Sequence, residues 1–334
     1  MDVRKNAWVR ASESCFFLRC VDTLLRGSGQ VMFQDSAWCG FFFLLGIGWG
    51  AWKEGIPEVA IGAVIGLIVG TLAACLLGAP KEDIHKGLHG YNGILVGCAL
   101  PTFFGATAVC WVLVIAGSFF STVVMLATSR FLRTWKVSAM TGPFVFTTWL
   151  ILLAAYNFAH FKIVSLPHPA LPVQPSETMA VLPGALELAG AVFTGISQVF
   201  LIGNEVTGML FLIGLAGSSL PAAVFAWCGS AVAIATAAFL GANESAVLEG
   251  LYQFSAVLTA IGLGSAFYSP NWRVVLYALL GTVFTVVAQG ALNVALAPLG
   301  IPTLTFPFVL AAWLFLLPNI QFMPESHRTP SPSV

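Results

Sequence analysis

Two stretches of the chain decide its fold: Met140–Leu153 reads MTGPFVFTTWLILL and Leu304–Leu317 reads LTFPFVLAAWLFLL. Eight of the fourteen positions are identical, and the shared start, Thr-x-Pro-Phe-Val, is too specific to result from hydrophobicity alone. A long repeat of this kind indicates that one ancestral unit was duplicated and that its two copies form the two halves of the chain.

Weaker matches extend the repeat through the rest of each half. They include glycines, a glutamine and several aliphatic residues, and their offset stays between 163 and 168 residues. The matched pairs are Gly27/Gly195, Gln30/Gln198, Val31/Val199, Gly87/Gly250, Leu88/Leu251 and Leu95/Leu258.

The composition is that of a membrane protein. Of 334 residues, 58% are hydrophobic and 8% are charged, whereas roughly 25% of the residues of a soluble domain are charged. Apolar runs close to the ~20 residues that cross a bilayer recur along the chain. The formal net charge is zero, which gives no indication of a nucleic-acid partner.

The predicted fold class is all-α integral membrane, with ten transmembrane helices in two inverted five-helix repeats. The first repeat covers 1–160, the second covers 178–320, and an odd number of spans makes the two halves enter the membrane from opposite sides. The predicted spans are approximately 8–26, 36–52, 57–78, 104–128 and 137–159, then 178–196, 204–219, 221–241, 271–290 and 303–320.

Each half also contains a stretch that is polar first and apolar afterwards. These stretches, 81–101 and 243–268, lie between the third and fourth predicted spans. Non-helical backbone at membrane depth must be buried in protein or line a wet cavity, so we expect each stretch to form a re-entrant half-helix.

The placement of Lys and Arg predicts the orientation. With a cytoplasmic N-terminus, nine of these residues fall in inside segments and three in outside loops, as short loops usually show. The linker 161–177, which contains four prolines, is then extracytoplasmic. We expect the tail 321–334 to be disordered and both termini to be cytoplasmic.

Two polar pairs, Gln30/Gln198 and Thr141/Thr305, are duplicated between the halves. Taken singly, such a glutamine more often joins two helices and such a threonine bonds back to its own helix. Duplication favours a functional role, because the repeat places each pair at related positions around one axis. Phe33, Tyr91 and Phe254 fit a core or a lipid-facing position equally well.

The sequence lacks the usual marks of enzymes and coupled carriers. It contains no HExxH, GxSxG or P-loop, and no Asp, Glu, Lys or Arg is duplicated within a span. His85 and His89 with Asn92 make a poor metal site, and the seven cysteines are scattered without CxxC spacing. We therefore expect no enzyme activity, no cofactor and no metal, but a pore for a small neutral polar solute.

Three blocks resemble those of the urea transporter family: GSGQVMFQ (27–34), HGYNGILVGCALP (89–101) and IPTLTFPF (301–308). The last block is similar to the family signature LPxxTxPF, with Ile301 in place of Leu, and VSAMTGPF (137–144) keeps its Thr-x-Pro-Phe part. The resemblance covers nearly the whole chain.

This resemblance implies a homotrimer with a separate channel-like pore, a flat apolar slot with oxygen acceptors, in each subunit. Thr141 and Thr305 would surround the central constriction. Tyr91 and Leu201 replace the phenylalanines of their repeat mates, so the ends of the slot should differ slightly in polarity and width. The implied binding residues are Gln30, Val31, Phe33, Tyr91 and Leu95 on the outer side, and Gln198, Val199, Leu201, Phe254 and Leu258 on the inner side.

The resulting hypothesis is passive permeation of urea through a protein of a bacterial inner membrane. Urea is flat and neutral, and removing water from a polar group without replacement costs on the order of 2–7 kcal/mol. Acceptors along the slot would replace that water step by step. A pore for ammonia or other small neutral amides is the alternative within transport, and a membrane enzyme or scaffold subunit is the alternative outside it.

Overall fold

The computed structural model describes Trp8, Ser12 and residues 14–173 and 184–322. The charged residues Arg4, Lys5 and Arg10, the end of the predicted linker, the start of the predicted sixth span and the tail after Pro324 lie outside the described residues. Within them the chain is helical and contains no strand.

Fourteen α-helices lie with both ends inside the described residues, seven in each half. The helices of the first half are α1 (Phe16–Gly29), α2 (Ala37–Lys53), α3 (Pro57–Leu76), α4 (Lys81–His85), α5 (Gly90–Phe104), α6 (Ala108–Leu132) and α7 (Gly142–Ala154). Those of the second half are α8 (Ala185–Ser197), α9 (Glu205–Ser218), α10 (Leu220–Phe239), α11 (Glu244–Leu248), α12 (Phe254–Ile261), α13 (Trp272–Leu296) and α14 (Phe306–Leu316).

The two halves repeat the same order of helices down to single backbone angles. A 3₁₀ turn follows both α1 and α8 and ends at a left-handed residue, Phe33 (φ 63°) or Leu201 (φ 59°). A second left-handed residue precedes both α7 and α14, Met140 (φ 52°) or Leu304 (φ 50°). Since non-glycine residues rarely adopt this region, its recurrence at matched positions shows that the duplication extends to the structure.

Four helices, α3, α6, α10 and α13, are long and apolar enough to cross a membrane. The count rises to six if each sharply bent pair is one span: α1 with its 3₁₀ turn meets α2 at 78°, and α8 with its turn meets α9 at 77°. Three further apolar helices, α7, α12 with its π-helical extension to Ala266, and α14, are shorter. The chain is thus an all-helical membrane protein.

Helices α7 and α14 begin later than the predicted spans 137–159 and 303–320. Val137–Ala139 and Ile301–Thr303 are not helical, and the helices start at Gly142 and Phe306. Pro143 and Pro307 occupy the first helical turn, where their missing N–H is tolerated. The repeated Thr-x-Pro-Phe block therefore marks a helix start within each half.

Helix α5, which begins in the predicted re-entrant stretch 81–101 and extends beyond it to Phe104, is buried along nearly its whole length. It packs antiparallel against α3, and Gly62 and Gly66 on α3 face Gly97 and Gly93 on α5. A Cβ atom on any of these glycines would collide with the backbone of the opposite helix. Small residues at four-residue spacing allow this close approach in membranes.

Candidate functional site

The two halves meet at a pair of threonines. The Oγ1 atoms of Thr141 and Thr305 lie 2.6 Å apart, so one hydroxyl donates a hydrogen bond to the other. Both side chains are buried, and the two residues directly precede α7 and α14. The two threonines that the repeat pairs with each other are thus in direct contact.

A reciprocal pair of tryptophans holds the non-helical segments beside the threonines. Trp149 Nε1 donates to the Pro302 carbonyl oxygen at 2.8 Å, and its repeat mate Trp313 donates to the Ser138 carbonyl oxygen at 3.0 Å. Each half therefore fixes the segment that leads into the other half's threonine. Sequence reasoning noted the repeated tryptophan without assigning it this role.

The two glutamines also occupy equivalent environments. Gln30 Nε2 donates to the Lys86 carbonyl oxygen at 2.8 Å, and Gln198 Nε2 donates to the Glu249 carbonyl oxygen at 2.9 Å. Within the described part of the chain neither Oε1 atom accepts a hydrogen bond, so each glutamine presents a free acceptor. These bonds orient the amides and leave their oxygens available to a solute.

The apolar residues predicted for the two binding positions lie in one core cluster. Phe33 and Leu201 pack against its edge, and the ring of Phe33 meets Phe267 and Phe308 edge-on at centroid distances of 5.4 and 5.9 Å. The buried members of this predicted set are Val31, Tyr91, Leu95, Val199, Phe254 and Leu258.

A cavity of about 480 Å³ opens beside the threonine pair in the second half. It is lined by five of the predicted residues, Gln198, Val199, Leu201, Phe254 and Thr305, whereas Leu258 is buried outside the lining. The lining residues that sequence reasoning missed include Thr102, Phe103, Phe144, Tyr252, Gln289, Asn293, Thr303 and Leu304. Phe144 and Leu304 belong to the duplicated block, and this duplication is the sequence feature that could have identified them as lining residues.

The same cavity brings part of the linker close to one of the glutamines. Pro167 and His168 of the linker line it together with Gln198 and Thr305. The assignment of Gln30 to the outer side and Gln198 to the inner side stays a prediction.

Charged groups lie around the mouths and not along the cavity. Among the described residues, no Asp, Glu, Lys or Arg lines the 480 Å³ cavity, while a second cavity bordering Gln198, of about 450 Å³, reaches Glu205 and Glu249. Near Gln30, Lys86 Nζ bonds Glu82 at 2.7 Å. This hydrogen bond lowers the pKa of the exposed Glu82 carboxyl and raises the pKa of the exposed Lys86 ammonium.

The part of the chain that the structure describes holds no group of three or more His, Cys, Asp or Glu residues placed to bind a metal ion. His85 is exposed, and His89 is buried with neither ring nitrogen hydrogen-bonded. An apolar cavity with hydroxyl and amide groups but no charged lining suits a small, neutral, polar molecule. The fold and the site together define a membrane transport protein for such a solute.

Comparison with known proteins narrows this class. The model of the family described as urea transporter matches residues 21–320. Urea transporter 1 from Ovis aries, Capra hircus and Rattus norvegicus is in each case 31% identical over 320 residues, which cover 93% of this chain and 82% of the relative. The chain belongs to the urea transporter family, and it is a transporter, not an enzyme.

Proposed function

We propose that the chain is a passive channel for urea, with one pore formed within each subunit. Facilitated permeation of urea is the function of the family to which it belongs. Movement down the gradient follows from the lining, because coupled carriers normally keep ionisable residues within their pathway. An ion entering the cavity would find no compensating charge among the described lining residues.

The observation that carries this proposal is an apolar cavity that two acceptor residues line. Gln198 and Thr305 lie among its aromatic and aliphatic lining residues, and Thr305 bonds to Thr141 of the other half. We place Gln30, whose amide is held in the same way as that of Gln198, at the corresponding position of the other end. Urea has four N–H donors and one carbonyl, so such acceptors replace lost water while flat apolar walls admit a planar molecule. Weak repeated binding of this kind permits rapid conduction.

The membrane topology that best fits these contacts has ten spans in two inverted repeats. The bends at Phe33–Ser36 and Leu201–Asn204 favour α1 and α8 as the re-entrant elements, instead of 81–101 and 243–268. The five spans of the first half are then α2, α3, α5, α6 and α7, the last together with the non-helical segment before it. The corresponding spans of the second half are α9, α10, α12, α13 and α14.

Three further features are part of the proposal. The distribution of Lys and Arg supports cytoplasmic termini, which places the linker outside. A bacterial inner membrane fits the short loops between the helices. The homotrimer rests on the family resemblance, and its subunits would associate through lipid-facing helices.

The test is urea flux into proteoliposomes, measured by stopped-flow light scattering. We expect urea to enter protein-containing vesicles much faster than empty ones. Acetamide and methylamine, tested in the same vesicles, separate a urea channel from an amide or ammonia pore. Urea entry at the rate of empty vesicles would overturn the proposal, and faster methylamine than urea entry would favour the ammonia alternative.

A further inference from the structure

The two ends of the pathway differ in one hydrogen bond. Tyr91 donates its hydroxyl to the Met140 carbonyl oxygen at 2.7 Å. The repeat mate of Tyr91 is Phe254, which has no hydroxyl, and the repeat mate of Met140 is Leu304. Met140 and Leu304 share the same left-handed backbone, with φ of 52° and 50°, so their carbonyl groups are held at equivalent positions.

The Leu304 carbonyl oxygen consequently remains without a protein donor. No hydrogen bond from the described residues ends on it, and Leu304 lines the 480 Å³ cavity together with Phe254 and Thr305. A carbonyl left unpaired away from bulk water costs free energy, which any N–H donor entering the cavity would recover. The Met140 oxygen offers a smaller gain, because the Tyr91 hydroxyl already occupies one of its two lone pairs.

The residue after Tyr91 also differs from its repeat mate, and here too the polar group of the second half lacks a partner. Asn92 accepts a hydrogen bond from the backbone N–H of Phe144 at 3.0 Å and so caps α7. Its mate Ser255 is fully buried, and its hydroxyl has no hydrogen-bond partner. At this pair of positions the polar side chain is therefore hydrogen-bonded in the first half and left without a partner in the second.

The two ends also differ in the space that their side chains leave, and the second half again has the more open end. Phe33 packs its ring against Phe267 and Phe308. The mates of Phe33 and Phe308 are Leu201 and Phe144, and both line the cavity. The smaller Leu201 side chain leaves room beside the Phe144 ring, whereas the ring of Phe33 fills the matching room at the other end.

We infer that the tighter of the two solute positions lies at the Leu304 end, where the Leu304 carbonyl accepts an N–H of a planar amide such as urea. Tyr91 is the residue that weakens the other position, by occupying the Met140 carbonyl. This inference rests on the proposed function and adds a specificity-determining pair, Tyr91 and Phe254, to it.

Crystals soaked in selenourea test this directly, because selenium gives an anomalous signal at each bound position. We expect half occupancy at the Leu304 end at a roughly three- to ten-fold lower concentration than at the Met140 end, as expected for one hydrogen bond. Phe254→Tyr should raise the half-occupancy concentration at the Leu304 end by a similar factor and leave the other end unchanged.

The matched variant Tyr91→Phe removes one oxygen atom and should strengthen binding at the Met140 end alone. It keeps the test open if Phe254→Tyr fails to fold. Equal occupancy at the two ends, or no response of either end to its own substitution, would overturn the inference. If the wild-type protein conducts urea but its two ends bind selenourea equally well, only this inference fails. If the wild-type protein conducts no urea, the proposed function fails.

Discussion

At the residue scale, the two central threonines act as one hydrogen-bonded unit. Because their Oγ1 atoms are 2.6 Å apart, removing either hydroxyl disturbs both. We predict that Thr305→Val slows urea flux several-fold, corresponding to about 1 kcal/mol for a lost hydrogen bond. Thr141→Val should have a similar effect, and the double variant should be little worse than the more damaging single one, since coupled residues are not additive.

Stopped-flow flux normalised to the amount of folded protein measures this cycle. Thr236→Val is the matched control, because the Thr236 hydroxyl bonds to the Val232 carbonyl of its own helix at 2.8 Å and lies away from the lining. Normal flux in Thr305→Val would assign Thr305 a purely structural role. Fully additive losses would show that the two hydroxyls act separately.

The charged residues near Gln30 form a clamp across the first bend. Arg26 bonds Asp22 and Asp35, each at 2.6 Å. The residues of the second half that correspond to Arg26 and Asp35 are Thr194 and Gly203, which cannot form an ion pair. We predict that Asp35→Asn lowers the free energy of unfolding by about 0.5–1 kcal/mol, because the pair is partly exposed. Thermal unfolding in detergent measures the loss, which should shrink at high salt. A loss independent of salt would argue against an ionic clamp.

At the element scale, the backbone contact between α3 and α5 determines how the first half packs. We predict that Gly66→Val destabilises the protein by about 1–3 kcal/mol, because its side chain would press on the backbone at Gly93. Gly48→Ala is the matched control, since a Cβ atom at Gly48 on α2 meets no atom within 4 Å. Melting temperatures in detergent compare the two variants. Equal melting temperatures would show that the α3–α5 contact is looser than the structure indicates.

The same elements show what the sequence could and could not predict. The Thr-x-Pro-Phe-Val repeat predicted the duplication, and it identified Thr141 and Thr305 as a matched pair, although not that their hydroxyls bond to each other. Hydropathy also located the long helices α3, α6, α10 and α13. The bends after Phe33 and Leu201 were not predicted, because left-handed backbone at non-glycine residues leaves no compositional signal. The sequence also placed the starts of α7 and α14 too early, because apolar residues continue through the non-helical segments that precede Gly142 and Phe306.

Tertiary contacts explain the remaining differences. That Gln198 shares a cavity with Pro167 and His168 depends on the path of the linker, which local sequence patterns do not report. The bond from Tyr91 to Met140 joins residues 49 positions apart. Only the repeat alignment, which pairs Tyr91 with Phe254, signalled that the two ends differ.

At the scale of the whole molecule, the unequal ends predict unequal responses to side-chain volume. Leu201→Phe would fill part of the 480 Å³ cavity beside Phe103 and Phe144, so we expect slower urea flux. Phe33→Leu removes the ring that meets Phe267 and Phe308, so flux should be maintained or increased if the protein folds. Flux through both variants is measured in liposomes of equal protein content. A faster Leu201→Phe variant would contradict the assigned pathway.

The central claim is that two copies of one helical unit enclose an uncharged passage through which urea moves down its own gradient. The most direct test follows labelled urea in proteoliposomes across which a proton or sodium gradient is imposed. The account predicts rapid entry and a final inside-to-outside concentration ratio of about one, whichever gradient is present. Accumulation of urea above the external concentration, or entry no faster than into empty liposomes, would contradict it.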